Sequence, residues 1–487
     1  MPMSQTRTQT RTPVAPASAI APFADAAEDL LRQGRGAEAL AAWCRALEIA
    51  PDFAAGFHGA GLALELMGDE PGALASFRHA ADLSPDFAAP RGSLALAALR
   101  EHRPTEAAAF AETALARDPA EPAARTVLGR LALDRRHPAE AAAWLEPAAR
   151  FGDAIPPRQA QAQRALADAL DALDRKDEAF DLYLSAAEIL RRQHAGTCAG
   201  PHPMAGLDLV RTLAEAYGHA PGALWRPAPG EDAGGAAAHV FVVGYPRSGT
   251  TLLEQVLASH PEVTALEERP TLMPMIQRYL DPPTGVQALA EMDEATAEQL
   301  RREYWARVRG FGAEPDGKVF VDKQPFYTLW LPLIVKLFPN AKLVVPRRDP
   351  RDVVLSCLRR PFRMTPVTYE MLDLERGAQL FDAAMRILDL TLERSALPVF
   401  DYRHEDLIED FDGVCGALCG FLGLGWDDRL RDFVATARRR GGFTPSAPQV
   451  VRGLNREGVG AWRAYAPRVE VIQPILDPWV ARLGYPP

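Results

Sequence analysis

Proline recurs at positions 51, 85 and 119, a step of 34 residues, in the segments ALEIAPDF, AADLSPDF and ALARDPAE. Alanine keeps the same step at Ala39, Ala73, Ala107 and Ala141, and again at Ala46, Ala80, Ala114 and Ala148. Several columns in register at one period constrain the fold strongly, because each unit is then one supersecondary module that buries its apolar face only against its neighbours. A bulky residue stands near the middle of the second helix of each unit: Trp43, Phe77, Phe110 and Trp144, the last two one position out of step. Small alanines let the helices approach and the aromatic is expected to fill the gap. Proline ends the unit, since it cannot continue a helix.

This pattern resembles the tetratricopeptide repeat, a pair of antiparallel helices. A further unit follows the broken segment FGDAIPPRQ, where Ala179, Tyr183 and Ala186 repeat the offsets of Ala39, Trp43 and Ala46. The array is therefore expected over residues 23–193, after a disordered tail at 1–22. A stack of such units curves into a solenoid whose concave surface suits a peptide or partner protein; a passive helical spacer is the bland alternative. Residues 194–238, with many Gly, Ala, Pro and His and one helical stretch, LDLVRTLAEAY, read as a linker or adaptor.

At 487 residues the chain is too long for one core, so two or three domains are expected. A formal net charge of −10 argues against general nucleic-acid or membrane-surface binding, although a local basic site remains compatible with it. The five cysteines are few, odd in number and scattered, which points to a reducing compartment without a disulfide framework. Cys415 and Cys419 are spaced i, i+4 but lack two further ligands, so they read as buried thiols and no metal site is expected. No run approaches the roughly 18 apolar residues that cross a bilayer. The first residues, MPMSQTRTQTRTPVAPASAIAPF, contain no apolar stretch of a secretory signal. A cytoplasmic protein is the expectation.

A different pattern begins at HVFVVGYPRSGTTLLEQVLASHPEV. Val240 to Val243 read as a buried parallel strand, and TLLEQVLASH as the helix that follows. A strand, a Gly-bounded loop and a helix aim backbone N–H groups at a phosphate. Gly244 and Gly249 have the spacing of a nucleotide P-loop, but Thr250 stands where that motif carries its lysine. Without that lysine, phosphoryl transfer is a poor fit, and a donor with one 5′-phosphate plus a sulfuryl group fits better.

PRSGTTLLEQVLASHPEV resembles the 5′-phosphosulfate motif of sulfotransferases, especially tyrosylprotein sulfotransferases and bacterial tetratricopeptide-linked relatives, and the likeness extends over roughly residues 239–466. It implies an α + α/β chain: an N-terminal tetratricopeptide α-solenoid, then a P-loop-like α/β domain over 239–487 with a central parallel sheet. It also implies 3′-phosphoadenosine 5′-phosphosulfate as donor, cradled by Arg247, Ser248, Gly249, Thr250 and Thr251, with Arg247 neutralising charge on the bridging oxygen. Lys323, at the end of the strand KVFVDK, matches the family's active-site lysine. Six arginines and two aspartates lie between residues 346 and 363, and there Arg348, Ser356 and Arg360 match the 3′-phosphate site, with Ser356 expected at a helix start. In the late segment TPSAPQVVRGLNREGVGAWRAYAP, Ser446 and Arg456 match donor contacts of the family's lid.

Glu268, in VTALEERP, matches the family's catalytic glutamate, and a hydroxyl attacking sulfur needs such a base. Glu267 is its rival; on an extended segment only one of two neighbours is expected to face the donor. Three positions depart from the family pattern: Leu266 replaces a glycine, His404 a tyrosine and Ala461 a basic residue. The favoured reading is sulfuryl transfer to an acceptor hydroxyl, with the acceptor held by the repeats if it is a protein. A protein tyrosine, a glycan and a small molecule all remain open. The competing readings are a repeat scaffold with an inactive transferase domain and a nucleotide kinase with a degenerate P-loop.

Overall fold

Helix starts at Ala54, Ala88, Pro122 and Pro156 keep the 34-residue step that the prolines announce. They are seen in a computed structural model that describes residues 17–151, 155–199, 206–230, 234–279, 284–441 and 446–487. Two compact units divide the chain between Gln193 and His194.

The first unit consists of paired helices from Ala17–Arg32 and Gly36–Ile49 to Pro156–Ala172 and Lys176–Cys198. The first of these takes in residues 17–22, while residues 1–16 lie outside the described residues. The second helices of the pairs begin at Gly36, Glu70, Pro104 and Pro138, then at Lys176, a step of 38. The four extra residues lie in Pro156–Ala172, which has 17 residues where Ala88–Arg100 and Pro122–Asp134 have 13 each.

Trp43 and Phe77 are buried, as the repeat demands, but Phe110 and Trp144 are only half-buried. Their places in the core are taken by Ala111 and Leu145, which stand in step with Trp43 and Phe77. One residue turns a helix by about 100°, so an aromatic one position early leaves the packed face. Glycines on the facing helices make the room: a Cβ on Gly59 would sit 2.2 Å from Trp43, one on Gly61 2.4 Å from Phe77, and one on Gly129 2.3 Å from Leu145.

A long-range polar clasp also crosses the array. Arg158 is 4% exposed and donates to Glu65 at 2.6 Å and to Ser93 at 3.0 Å. His58 lies 2.9 Å from the same Ser93 hydroxyl, and Arg100 pairs with Glu65 at 2.7 Å. Ile155, next to the undescribed residues 152–154, is buried in the apolar cluster that holds Trp43 and Phe77.

The second unit is built on a parallel five-stranded sheet: β1 Ala238–Val242, β2 Val263–Glu267, β3 Val319–Lys323, β4 Lys342–Arg347 and β5 Val399–Arg403, in the order β2-β3-β1-β4-β5. Together the units give the α + α/β class read from the sequence. Strand alternation sorts the two faces. Val240, Val242, Val321 and Val344 pack with the helix Thr250–Leu257 and with Phe411–Leu422, whose Cys415 and Cys419 are buried free thiols. His239, Phe241 and Phe320 meet Tyr304, Trp305 and Phe338 on the other side.

Residues 206–230, within the stretch read as a linker or adaptor, pack on this unit. Tyr217 donates to the Leu329 carbonyl at 3.2 Å, Leu207 N–H donates to Glu370 at 3.2 Å, and buried Arg301 donates to the carbonyls of Ala228 and Pro229. Among the described residues no helix is long and apolar enough to cross a membrane.

Candidate active site

The carboxyl ends of all five strands deliver side chains with ionic chemistry: Arg247 in the loop after β1, Glu267 and Glu268 at the end of β2, Lys323 ending β3, Arg348 after β4 and His404 after β5. The sheet grows to one side of β1 as β3 and β2 and to the other as β4 and β5, and ligands of open parallel sheets bind at such a switch point.

The loop between β1 and the helix Thr250–Leu257 is held from below by Thr328, whose hydroxyl accepts from Gly244 N–H at 2.8 Å and donates to its carbonyl at 2.6 Å. Gly244 and Gly249 take φ of 135° and 97°, and Arg247, though not glycine, takes 72°. A non-glycine residue in that region is strained, and strain of this kind collects at ligand clamps. Ser248, Thr250 and Thr251 are buried along the loop and helix start.

The Arg247 side chain is 6% exposed. Nε donates to Ser356 at 2.9 Å, and its two terminal nitrogens donate to Ser446 and to the Gln449 amide oxygen. Arg348 donates to the Arg247 carbonyl at 2.9 Å and to the Gly458 carbonyl, while its Nε is buried without a hydrogen-bond partner among the described residues. Burial, then the charges of Arg360 and Arg348, push the Arg247 pKa down to about 9. Arg247, Arg348, Ser356, Arg360 and Ser446 thus share one neighbourhood.

Ser356 lies well inside the helix Pro350–Arg359 rather than at its start, because Asp349 caps the helix and Pro350 opens it. Two of the six arginines are neutralised structurally: Arg347 pairs with Asp401 at 2.9 Å, and Arg351 with Asp349 at 2.9 Å. Arg456 stands apart, its side chain 70% exposed and 3.8 Å from Glu409. Asp349 and Asp352 also hold the late segment, through Trp462 Nε1 at 3.2 Å and the Trp462 and Gly460 N–H groups at 2.8 and 2.7 Å.

Lys323 is fully buried, with Nζ 2.8 Å from Glu268 Oε1 and 3.7 Å from both Glu267 Oε1 and Glu254 Oε2. Both glutamates of the pair approach Lys323. The strand ends at Glu267 and Glu268 takes φ 47°, which breaks the two-residue alternation and lets both carboxylates converge. Glu254 is fully buried on the helix Thr250–Leu257 and 2.8 Å from Arg440. Burial, then Glu254, pushes Glu267 above its usual range.

Sequence reasoning missed Glu254, Gln449 and Arg440. Glu254 carried a signal, a lone carboxylate amid the apolar residues of TLLEQVL; the other two depend on chain folding back from far away. His404, the residue after β5, lies so close to the loop that a Cβ on Gly249 would sit 2.4 Å from its Nδ1, a buried nitrogen without a hydrogen-bond partner among the described residues. Burial, then Arg348 and Arg247, push the imidazole pKa down to about 3.

Sheet, loop and the helix that follows give the second unit a P-loop-like α/β arrangement. Residues 239–428 match the profile of the Sulfotransferase family, and residues 98–154 match that of the tetratricopeptide repeat. An uncharacterized protein of Aquifex aeolicus is 30% identical over 48% of this chain and 32% of its own length. The chain thus spans about a third of that relative. Protein-tyrosine sulfotransferase 2 of Gallus gallus is 27% identical over 51% of this chain and 69% of its own. Among solved structures, the sulfotransferase domain from the curacin biosynthetic pathway aligns at 19% identity and a TM-score of 0.34, over 51% of this chain and 98% of that domain.

Proposed function

We propose that the second unit transfers a sulfuryl group from 3′-phosphoadenosine 5′-phosphosulfate to an acceptor hydroxyl. The observation that carries this reading is the setting of Arg247: a buried guanidinium whose hydrogen bonds go to two hydroxyls and an amide, with Arg348 and Arg360 beside it. Burying a cation among cations is costly, and an anionic ligand with charge at both ends of its sugar offsets that cost.

In this reading the loop Arg247 to Thr251 and the helix N-terminus hold the 5′-phosphosulfate, and Arg348, Ser356 and Arg360 hold the 3′-phosphate. Glu268 takes the proton as the acceptor oxygen attacks sulfur. The bond between sulfur and the bridging oxygen breaks in line, and the electron pair stays on the 5′-phosphate of the departing adenosine 3′,5′-bisphosphate. Arg247 and Lys323 stabilise the charge that develops on that oxygen, in the manner of preorganised donors.

Ser446 is well placed to help, through Arg247; Arg456 needs a rearrangement of its segment to reach a donor. The name of the Gallus gallus relative supports tyrosine as acceptor, and the repeat array supports a protein substrate or partner. The test is incubation of the full chain and radiolabelled donor with a lysate of the source cell. Label on protein tyrosine is the expected result, label on glycan or metabolite reassigns the acceptor, and no transferred label contradicts the proposal.

A further inference from the structure

Lys323 and Asp322 are successive residues of β3 and point to opposite faces of the sheet. Lys323 meets the glutamates. Asp322 is fully buried on the aromatic side, where its Oδ2 accepts from Thr271 Oγ1 at 2.7 Å and from the Tyr304 hydroxyl at 2.9 Å. His239 Nε2 lies 2.8 Å from the same Tyr304 oxygen. Burial pushes the Asp322 pKa up to about 7. A carboxyl retained in so unfavourable a setting calls for a reason.

The reason lies three residues beyond Glu268. Thr271 is also 2.7 Å from the Tyr327 hydroxyl, which accepts from Leu272 N–H at 3.0 Å and lies 3.1 Å from the Arg269 carbonyl. Arg307 donates to the carbonyls of Thr271 and Pro270 at 3.1 and 2.8 Å. Residues 269–272 are thereby fastened to β3, to the short helix Pro325–Trp330 and to the helix Glu294–Gly310. Glu268, at φ 47° and with its N–H donating to the Lys323 carbonyl at 2.8 Å, is the residue on which this fastening acts.

We propose that Asp322, Thr271 and Tyr327 are positioning residues for the reaction: they lock the segment after Glu268 so that its carboxylate stays against Lys323. The proposal rests on the reading of Glu268 as the base. Asp322 acts on both members of the pair, on Lys323 as its chain neighbour and on Glu268 through Thr271. It touches neither the Arg247 loop nor the Arg348 cluster in any hydrogen bond described above, so donor affinity is separable from its role.

The experiment compares Thr271→Val, Tyr327→Phe and Asp322→Asn in the full chain, each alone and combined with Glu268→Gln. Labelled-donor transfer to lysate acceptors gives the rate, and adenosine 3′,5′-bisphosphate titration gives site integrity. Thr271→Val is expected to slow transfer about tenfold or more, because small misplacements of a reacting group are costly, while bisphosphate affinity stays within about twofold. In the Glu268→Gln background the same substitution should add nothing, since a group that acts through Glu268 has nothing left to position. Asp322→Asn keeps an oxygen acceptor and should retain most of the rate. Amide exchange at Leu272 should quicken in Tyr327→Phe.

A loss of rate that persists unchanged in the Glu268→Gln background overturns the proposal, as does a Thr271→Val protein at full rate. A Glu268→Gln protein at full rate overturns the reading of the base instead, and this proposal with it.

Discussion

Lys323 and Glu268 are joined twice: Nζ lies 2.8 Å from Oε1, and the Lys323 carbonyl accepts the Glu268 N–H, also at 2.8 Å. Backbone and side chain therefore agree on where this carboxylate sits, whereas Glu267 reaches the same lysine only at 3.7 Å. Glu268→Gln should lower sulfuryl-transfer turnover by roughly 10²–10⁴ and leave bisphosphate affinity close to wild type. Glu267→Gln should cost much less. Steady-state rates decide it, and the reverse order of the two effects would make Glu267 the base.

Arg348 and Arg456 both match donor contacts in the sequence, and the structure separates them: Arg348 lies beside Arg247, whereas the Arg456 side chain is 70% exposed. Arg348→Ala should weaken adenosine 3′,5′-bisphosphate binding by about 1.5–3 kcal/mol, the value of a charge-assisted contact. Arg456→Ala, at an exposed position, should change it by less than about 0.5 kcal/mol. Calorimetric titration of both variants checks this. A large loss from Arg456→Ala would mean that its segment closes onto the donor.

Gly249 sits at φ 97° against the His404 ring, so Gly249→Ala meets two obstacles, a left-handed backbone and a Cβ at 2.4 Å from Nδ1. The backbone part costs about 1–2 kcal/mol. Bisphosphate binding should be lost in Gly249→Ala and only partly recovered when His404→Ala is added, since the second change relieves the clash and not the strain. Full recovery would show that the loop's conformation is not what Gly249 provides.

The clasp in the repeat array makes a pH prediction. Burial, then Arg158, pushes His58 down to about 3; burial opposes the ionisation of Glu65, but Arg158 and Arg100 outweigh it and hold that carboxyl at about 2. Both folded values lie below the unfolded ones, so the unfolded chain binds more protons and stability falls as pH falls. The loss begins near pH 6.5 through His58 and deepens from about pH 4.5 toward 2 through Glu65. Protection factors of the amides in residues 54–151, with the intrinsic exchange rate at each pH divided out, should fall over that window. Arg158→Ala should destabilise the array by about 3–5 kcal/mol, toward the lower end because Arg100 remains on Glu65. A thermal melt unchanged by that substitution would make the clasp ornamental.

Residues 206–230 bear on truncation. A chain beginning near residue 206 should bind bisphosphate as the full chain does, because the repeats bury their faces against one another. Cutting at 238 removes Tyr217 from the Leu329 carbonyl and the Ala228 and Pro229 carbonyls from Arg301, and leaves that buried guanidinium under-partnered. The shorter piece should therefore melt lower; equal melting temperatures would return residues 206–237 to the role of a linker.

The sequence shows most clearly what is local. The loop from Gly244 to Thr251 is a contiguous strand–turn–helix signal, and Lys323 ends a strand that alternation alone could find. The repeat period was legible for the same reason, since 34 residues return each unit to one face. What stayed hidden depends on how distant segments close. Gln449 is 202 positions from Arg247, and Arg158 is 93 from Glu65. The convergence of Glu267 and Glu268 turned on one positive φ, which no pattern of residue types announces. Phe110 and Trp144 have the bulk of a core residue but not its position, because the helix turns about 100° per residue.

The central claim is that the cationic neighbourhood of Arg247 and Arg348 holds a nucleotide charged at both its 3′ and 5′ ends. Calorimetric titration of the full chain with adenosine 3′,5′-bisphosphate, and separately with ATP and magnesium, tests it most directly. The bisphosphate should bind at least about 100-fold more tightly, the equivalent of roughly 2.7 kcal/mol, and Arg348→Ala should remove most of that preference. Equal affinities, or magnesium-dependent turnover of ATP, would contradict the account and move the site to phosphoryl transfer.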